Sequence, residues 1–395
     1  MKKSVLFIMN NLNCGGAEKA LISLLEVLDY NRFDVDLLLF NKEGIFLTNV
    51  PNQVTIMKEP PEYAYFDMPI KKAVLNSLKI RRVDIAFNRI MAGFIYKTEK
   101  NPIRCQQRVW KYLSRSFGKI NKKYDIAIGY LEKNPLYYCV DQVSATKKIG
   151  FIHNDYEKLG LDSNIDKKYF QKLDHIVTVS EQCSEVLKRN FPIFEKRVKV
   201  MHNIVSPQTI IKLAQDDIKL NTSGIKIVSI GRLHFQKGYE MAIEACKKLI
   251  SQNYPIKWFV IGEGEERKEL ELLIDKHNLN DHFFLLGMKE NPYPYIKNAD
   301  IYVQCSRFEG KSIAIDEAKI LNKPIVVTNF STVSDQIINN QTGIIVEMDA
   351  DAIAKGIQLL IDDLNLRTKL TNHLAKEKLG TESEIHKLYQ MFNAG

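Results

Sequence analysis

The chain has 395 residues, 45% hydrophobic and 26% charged, which is too long for one ordinary core and normal in composition for a two-domain globular protein. The absence of any run of about 18 apolar residues argues against a transmembrane helix, and six scattered cysteines without a C-x-x-C pair fit reduced thiols in a cytoplasm rather than a disulfide scaffold. The net charge of +9 is uneven: residues 71–123 hold 15 Lys and Arg side chains against two acids, Asp84 and Glu99.

In chain order, Met1-Lys2-Lys3-Ser4 passes into the apolar run Val5 to Met9, which Asn10 and Asn11 break before it reaches the length of a signal-peptide core. The hydrophobic pattern predicts strands over 4–9, 34–40, 125–129, 147–152 and 175–179, with helices over 16–29, 69–82, 104–119 and 181–190. A join follows near 200–222, where Pro207 and the polar run Gln215 to Gly224 interrupt the pattern. Beyond it, strands are predicted over 225–230, 256–261, 283–286, 300–303, 324–328 and 344–347. Helices are predicted over 238–252, 265–277, 312–321, 350–363 and 367–378. Such alternation marks a parallel sheet covered by helices, here twice, so the fold class is α/β with two Rossmann-like, doubly wound domains facing across a cleft. The expected domains are 1–203 and 204–378, with 379–395 forming a C-terminal helix that packs back on the first.

The chemistry-bearing motifs fall after predicted strands, where ligands of open α/β sheets bind. After the first strand, Asn13-Cys14-Gly15-Gly16-Ala17-Glu18 offers two glycines that let backbone approach a ligand, or a tight turn with none. Cys14 beside them reads as a small space-filling residue. Asp34-Val35-Asp36 is a D-x-D, but it starts a strand whose alternation points both acids to one face, expected to be solvent, and no metal set is predicted elsewhere. On a helix from Pro69, Lys71, Lys72, Lys79 and Arg82 share about 100° of arc, a solvated basic face or one that meets anionic lipid. His153 ends a strand in a polar triplet, His153-Asn154-Asp155, and suits either a structural role or a site. Gly231-Arg232-Leu233-His234-Phe235-Gln236-Lys237-Gly238 follows another strand, and its two cations suit a diphosphate whose charge grows in the transition state. Lastly, Glu309 and Glu317 stand eight apart across a helix start, in Arg307-Phe308-Glu309-Gly310-Lys311-Ser312-Ile313-Ala314-Ile315-Asp316-Glu317-Ala318. Backbone N–H groups at such a start can hold phosphate while the carboxylates accept from sugar hydroxyls; alone, the pair fits an exposed amphipathic helix equally well.

Taken in order, the G-G-A-E turn, the G-R-L-x-x-Q-K-G turn, E-x7-E and the turn Asn340-Gln341-Thr342-Gly343 resemble GT-B glycosyltransferases, and most of all the retaining family 4 of bacterial capsule, O-antigen and exopolysaccharide assembly. The resemblance spans residue 3 to about 363 and is looser in the first half, where acceptors bind. It implies transfer of a sugar from a nucleotide donor, a UDP-sugar, onto a polyprenyl-diphosphate-linked glycan, by a metal-independent enzyme without cofactor. Such an enzyme would be cytoplasmic and peripheral at the inner face of the plasma membrane, with segment 71–123 on the anionic surface. It also implies roles. His153 and Glu309 would be catalytic, contacting the donor sugar. Gly15 and Gly16 would lie near donor phosphate, Arg232 and Lys237 on the diphosphate, and Met288 against the base. Backbone N–H groups of Gly310, Lys311 and Ser312 would lie near sugar and phosphate, and Glu317 on the ribose. Three departures mark this chain: Lys311 where an apolar residue is usual, Asn329-Phe330-Ser331-Thr332 in place of D-x-G-G, and Asp335 where a glutamate is usual. Alternatives are a soluble acceptor, a non-catalytic GT-B partner subunit, a nucleotide-sugar epimerase, and a nucleic-acid binder. The patch carries no nucleic-acid recognition module, so no nucleic acid is expected as partner.

Overall fold

A computed structural model describes residues 2–13, 15–218 and 223–393, so Cys14 and part of the expected join lie outside the described residues. The chain divides into two compact units. One comprises Met1–Asn13, Leu24–Met201 and Ile385–Gly395; the other comprises Cys14–Ser23 and His202–Glu384.

The first unit is built on seven parallel strands: β1 (Lys3–Met9), β2 (Phe33–Leu39), β3 (Val54–Ile56), β4 (Tyr124–Gly129), β5 (Ala145–Ile152), β6 (His175–Thr178) and β7 (Val198–Val200). Their order is β3-β2-β1-β4-β5-β6-β7. Val5 to Met9 are all buried, as expected of a parallel strand covered on both faces. Helix α1 (Gly16–Val27) follows β1. Between β3 and β4 come α2 (Ala64–Asp67), α3 (Ile70–Lys79), α4 (Val83–Thr98) and α5 (Pro102–Ser116). Later come α6 (Asn134–Asp141), α7 (Ser163–Phe170) and α8 (Glu181–Asn190). A Cβ on Gly129 would stand 2.4 Å from the Cα of Leu136, so the missing side chain lets α6 lie directly on β4. Trp110, Tyr137 and Phe40 fill the core, and the Trp110 indole N–H donates to Asp141 at 2.9 Å.

The second unit carries α9 (Pro207–Leu213) and six parallel strands in the order β10-β9-β8-β11-β12-β13. These are β8 (Ile225–Ile230), β9 (Ile256–Ile261), β10 (Phe283–Leu285), β11 (Ile301–Gln304), β12 (Ile325–Thr328) and β13 (Ile344–Val346). The covering helices are α10 (Tyr239–Ser251), α11 (Arg267–Lys276), α12 (Tyr293–Asn298), α13 (Ile313–Ile320), α14 (Ala350–Asp362) and α15 (Leu364–Leu374). The last helix, α16 (Ile385–Asn393), belongs to the first unit. There Tyr389 stacks on Phe33 with centroids 5.3 Å apart and accepts the Asp29 N–H at 2.9 Å.

Several sequence expectations change. The helix expected over 69–82 stops at Lys79, because Arg81 takes φ 59° and Arg82 turns to hold Asp84 and the Ser116 carbonyl. Arg82 therefore does not share a face with Lys71, Lys72 and Lys79. A separate helix, α4, follows. Asp36 is also not solvated: it is buried, accepting from the Tyr124 hydroxyl at 2.6 Å and from Lys122 at 2.8 Å, while Asp34 is exposed. The alternation was right, but side chains from the start of β4 cover one of the two acids.

Candidate active site

Each sheet reverses its strand order once, at β1/β4 in the first unit and β8/β11 in the second. Ligands of open α/β sheets bind beside such reversals, outside the carboxyl ends of the strands.

In the second unit, β8 ends at Ile230 and the chain runs through Gly231 and Arg232 to a short turn, Phe235–Lys237, that His234 caps by accepting the Gln236 N–H at 3.1 Å. Gly238 then takes φ 65°, and a Cβ there would lie 2.3 Å from the Cys305 carbonyl oxygen. Only glycine lets this turn press against the chain leaving β11. The approach delivers Lys237 to Glu309: its ammonium lies 2.5 Å from Oε1, with both side chains largely buried. The same oxygen accepts from the Ser306 hydroxyl at 2.6 Å and Gln304 Nε2 at 3.0 Å, and Gln236 Nε2 reaches Oε2 at 3.4 Å. Glu309 is thus a buried anion held by one cation and three neutral donors, as a buried charge requires.

Gly310 is buried beside it, and Ser312 caps α13. Ser312 contributes differently from the expectation: its N–H is taken by Gln336 Oε1 at 2.8 Å and its hydroxyl donates to Gln304 Oε1 at 2.9 Å. The Lys311 N–H has no acceptor among the described residues. Its ammonium stands 3.8 Å from Asp316 Oδ2, too far for a hydrogen bond, and that oxygen is buried without one among the described residues. Lys311 is therefore a sheltered cation with a loosely held partner.

Glu317, on α13, is ion-paired with Lys19 and accepts from the Tyr293 hydroxyl at 3.2 Å, while the Lys19 ammonium sits 4.5 Å from the Tyr293 ring centre. Burial opposes the Lys19 charge, but Glu317 and Tyr293 outweigh it and hold its pKa above the ordinary range. Burial, then the Glu317 carboxylate, pushes the Tyr293 phenol up to about 12. Arg232 is half exposed, 3.7 Å from Glu18. Gly15 abuts the Glu18 carboxylate, whereas nothing lies within 4 Å of a Cβ placed on Gly16. Met288 is half exposed after Gly287 at the end of β10, two strands from β8. Lys237, Glu309 and Ser312 thus form one network and Lys19, Tyr293 and Glu317 another.

In the first unit, Ile8, Gly129 and Gly150 lie in register, so β1, β4 and β5 end side by side. Just beyond them stand Asn10, then Glu132 and Asn134, then His153. The His153 N–H donates to Glu132 at 3.1 Å, and its ring packs on Tyr130 at 4.9 Å. Burial depresses the His153 pKa to about 4 against the pull of Glu132 and of the Tyr130 backbone, so the ring is neutral. Its Nε2 is buried without a hydrogen-bond partner among the described residues. Asn10 Oδ1 and Asn134 Oδ1 are likewise buried without partners among the described residues. Three unpartnered side-chain atoms gathered at one edge, two of them amide oxygens, suit a ligand that brings O–H donors.

Sequence reasoning missed Lys19, Tyr293, Gln304 and Gln336, which act only through tertiary contacts. Asn10, Glu132 and Asn134 had a signal at the reversal point: Asn10 directly follows β1, Glu132 lies between the end of β4 and the start of α6, and Asn134 opens α6.

Residues 211–377 match the family model of glycosyl transferases group 1. Over 378 residues the chain is 25% identical to an N-acetylgalactosamine-N,N'-diacetylbacillosaminyl-diphospho-undecaprenol 4-alpha-N-acetylgalactosaminyltransferase of Campylobacter jejuni, covering 94% of this chain and 93% of that one. The fold is similar to that of S. aureus TarM, solved as a mutant in complex with Fondaparinux, alpha-GlcNAc-glycerol and UDP (TM-score 0.69, 14% identity, 99% and 100% of the two chains). It is also similar to Anabaena HepE in complex with UDP-glucose (TM-score 0.69, 15% identity, 100% of both chains). With the two doubly wound sheets, these likenesses identify the α/β GT-B fold.

Proposed function

We propose that this chain, a glycosyltransferase of the GT-B fold, is a retaining enzyme of family 4 that moves a sugar from a UDP-sugar onto a polyprenyl-diphosphate-linked glycan. Its setting is surface polysaccharide assembly at the inner face of the plasma membrane. The observation that carries the donor half is the Lys237–Glu309 network beside the β8/β11 reversal, with Arg232 on the same edge and Glu317 further along α13. Support for the acceptor comes from the C. jejuni relative, whose name specifies a diphospho-undecaprenol glycan, and support for UDP from the HepE and TarM complexes.

In this reading the donor diphosphate lies against Arg232 and Lys237, and the N–H of Lys311 is the free backbone donor for phosphate. The acceptor hydroxyl oxygen bonds to the anomeric carbon as the bond from that carbon to the phosphate oxygen breaks, on the same face. The hydroxyl proton passes to the departing phosphate oxygen, so configuration is retained. Two protein cations neutralise the growing diphosphate charge, and no metal is required of the donor set. Glu309 has its Oε1 taken by three donors, while Oε2 receives only Gln236 at 3.4 Å and can still accept from sugar hydroxyls. It is therefore fitted to orient them rather than to shuttle protons, unlike the paired carboxylates of glycoside hydrolysis. The acceptor edge at Asn10, Asn134 and His153 receives sugar O–H groups.

The test is transfer from a UDP-sugar to a short polyprenyl-diphosphate-linked glycan, with product configuration read from anomeric NMR couplings. Retention is expected. Inversion refutes the family 4 chemistry, and transfer only to water-soluble acceptors refutes the lipid-linked one.

A further inference from the structure

Helix α4 turns large apolar side chains outward. Its inward face carries Ile85 among small and polar residues: Ala86, Ala92 and Gly93, with Arg89 donating to the Tyr65 and Met68 carbonyls and Asn88 donating to Ser116. Its outward face carries Val83, Phe87, Ile90 and Phe94, exposed by 64%, 57%, 52% and 63%. At 100° per residue these four fall within about 60° of arc, one continuous stripe. Leu75 and Leu78 on α3 are exposed by 61% and 47% and extend the apolar surface. Folding explains none of this, since the stripe touches no core, and an apolar patch of this extent marks a binding surface.

Charge says what binds. Exposed Lys71, Lys72, Lys79, Arg81 and Lys97 border the stripe. The two acids of the segment are already neutralised, Asp84 by Arg82 at 2.8 Å and Glu99 by Arg108 at 2.8 Å. An apolar ridge fringed by uncompensated cations matches the interface of an anionic bilayer, with acyl chains beneath and phosphate headgroups around. A second copy fits poorly, because a twofold contact would set the cationic fringe against itself.

We infer that the α3–α4 hairpin is a membrane-docking element. The apolar stripe of α4 enters the acyl boundary, and the lysines of α3 engage the headgroups. The inference deepens the proposed action on a lipid-linked acceptor and rests on that reading for its purpose. It also moves the anchor from the basic helix expected at 69–82 to the apolar face of the helix after it.

The experiment is flotation of the full chain with phosphatidylcholine vesicles with and without 30% phosphatidylglycerol (roughly the anionic fraction that gives a strong surface potential), beside UDP binding on the same preparations. Wild type should float with anionic vesicles. F87S/F94S should lower partition roughly tenfold or more, because each ring loses its insertion, with melting unchanged since neither side chain is buried. K71E/K72E/K79E should abolish the preference for phosphatidylglycerol. Wild-type flotation by F87S/F94S, or failure of wild type to float, overturns the proposal. So does a vesicle-free dimer that F87S/F94S disperses. UDP binding separates the two readings: its loss with flotation intact sinks the donor assignment alone, and its retention without flotation sinks the docking face alone.

Discussion

Lys237→Ala is the sharpest perturbation of the donor edge, because the structure gives it two separable consequences. The ammonium is 2.5 Å from Glu309 Oε1, with side-chain exposures of 18% and 8%. Removing one partner of a buried pair normally costs several kcal/mol, since the other charge stays behind uncompensated. Here Glu309 keeps the Ser306 hydroxyl, Gln304 and Gln236, so the cost should fall to about 1–3 kcal/mol. For a unit of this size that lowers Tm by roughly 2–12 °C. If Lys237 faces the leaving diphosphate as proposed, its loss costs far more in rate, roughly 100- to 1,000-fold in kcat. Steady-state turnover of the UDP-sugar well below the mutant's Tm reads the second effect free of the first. The double variant K237A/E309Q should recover most of the lost Tm, because no buried charge remains unpaired, while activity stays low. If Lys237→Ala turns over donor within about threefold of wild type, a change too small for a lost transition-state contact, the lysine only holds Glu309 and the diphosphate assignment fails.

Glu317→Gln should weaken UDP binding about tenfold by calorimetry, the loss expected when a charged acceptor becomes neutral; unchanged affinity removes Glu317 from the ribose. Gly238→Ala forces φ 65° on a residue with a Cβ and drives that carbon into the Cys305 carbonyl. Chemical denaturation should show a loss of more than about 2 kcal/mol, and a loss within a few tenths would refute the turn's close approach. His153 has a folded pKa of about 4 against an ordinary 6.5, so between these values the unfolded chain binds a proton that the folded one refuses. Stability should therefore rise with pH from about 4 to 6.5, by up to about 1.4 kcal/mol per unit from this group, and level off above. His153→Gln should flatten that limb. An unaltered slope would mean the ring is not buried neutral.

The alternation of both sheets was legible because parallel strands covered on both faces are short unbroken apolar runs, and Val5–Met9 or 258–261 resemble little else. The strands β3 (Val-Thr-Ile) and β7 (Val-Lys-Val) were not, because a polar residue interrupts so short a run, whereas the equally short β10 and β13 are wholly apolar. Helix α4 was missed for a different reason: its hydrophobic stripe faces outward, so the usual reading of pattern into burial is inverted. In the site, residues spaced along one motif were readable, as Lys237 and Glu309 were from their turns. Lys19, 298 positions before Glu317, was not, since only tertiary folding makes them a pair. The Asp36 reading failed on the same ground, its cover arriving from Lys122 and Tyr124.

The β8/β11 edge is proposed to be a sugar-nucleotide donor site. Its most direct test is donor hydrolysis by the wild-type chain across a panel of UDP-, GDP- and dTDP-sugars, run beside Lys237→Ala. Turnover of a UDP-sugar that Lys237→Ala abolishes is the predicted result. Failure to bind or hydrolyse any sugar nucleotide, or hydrolysis indifferent to Lys237, would contradict it.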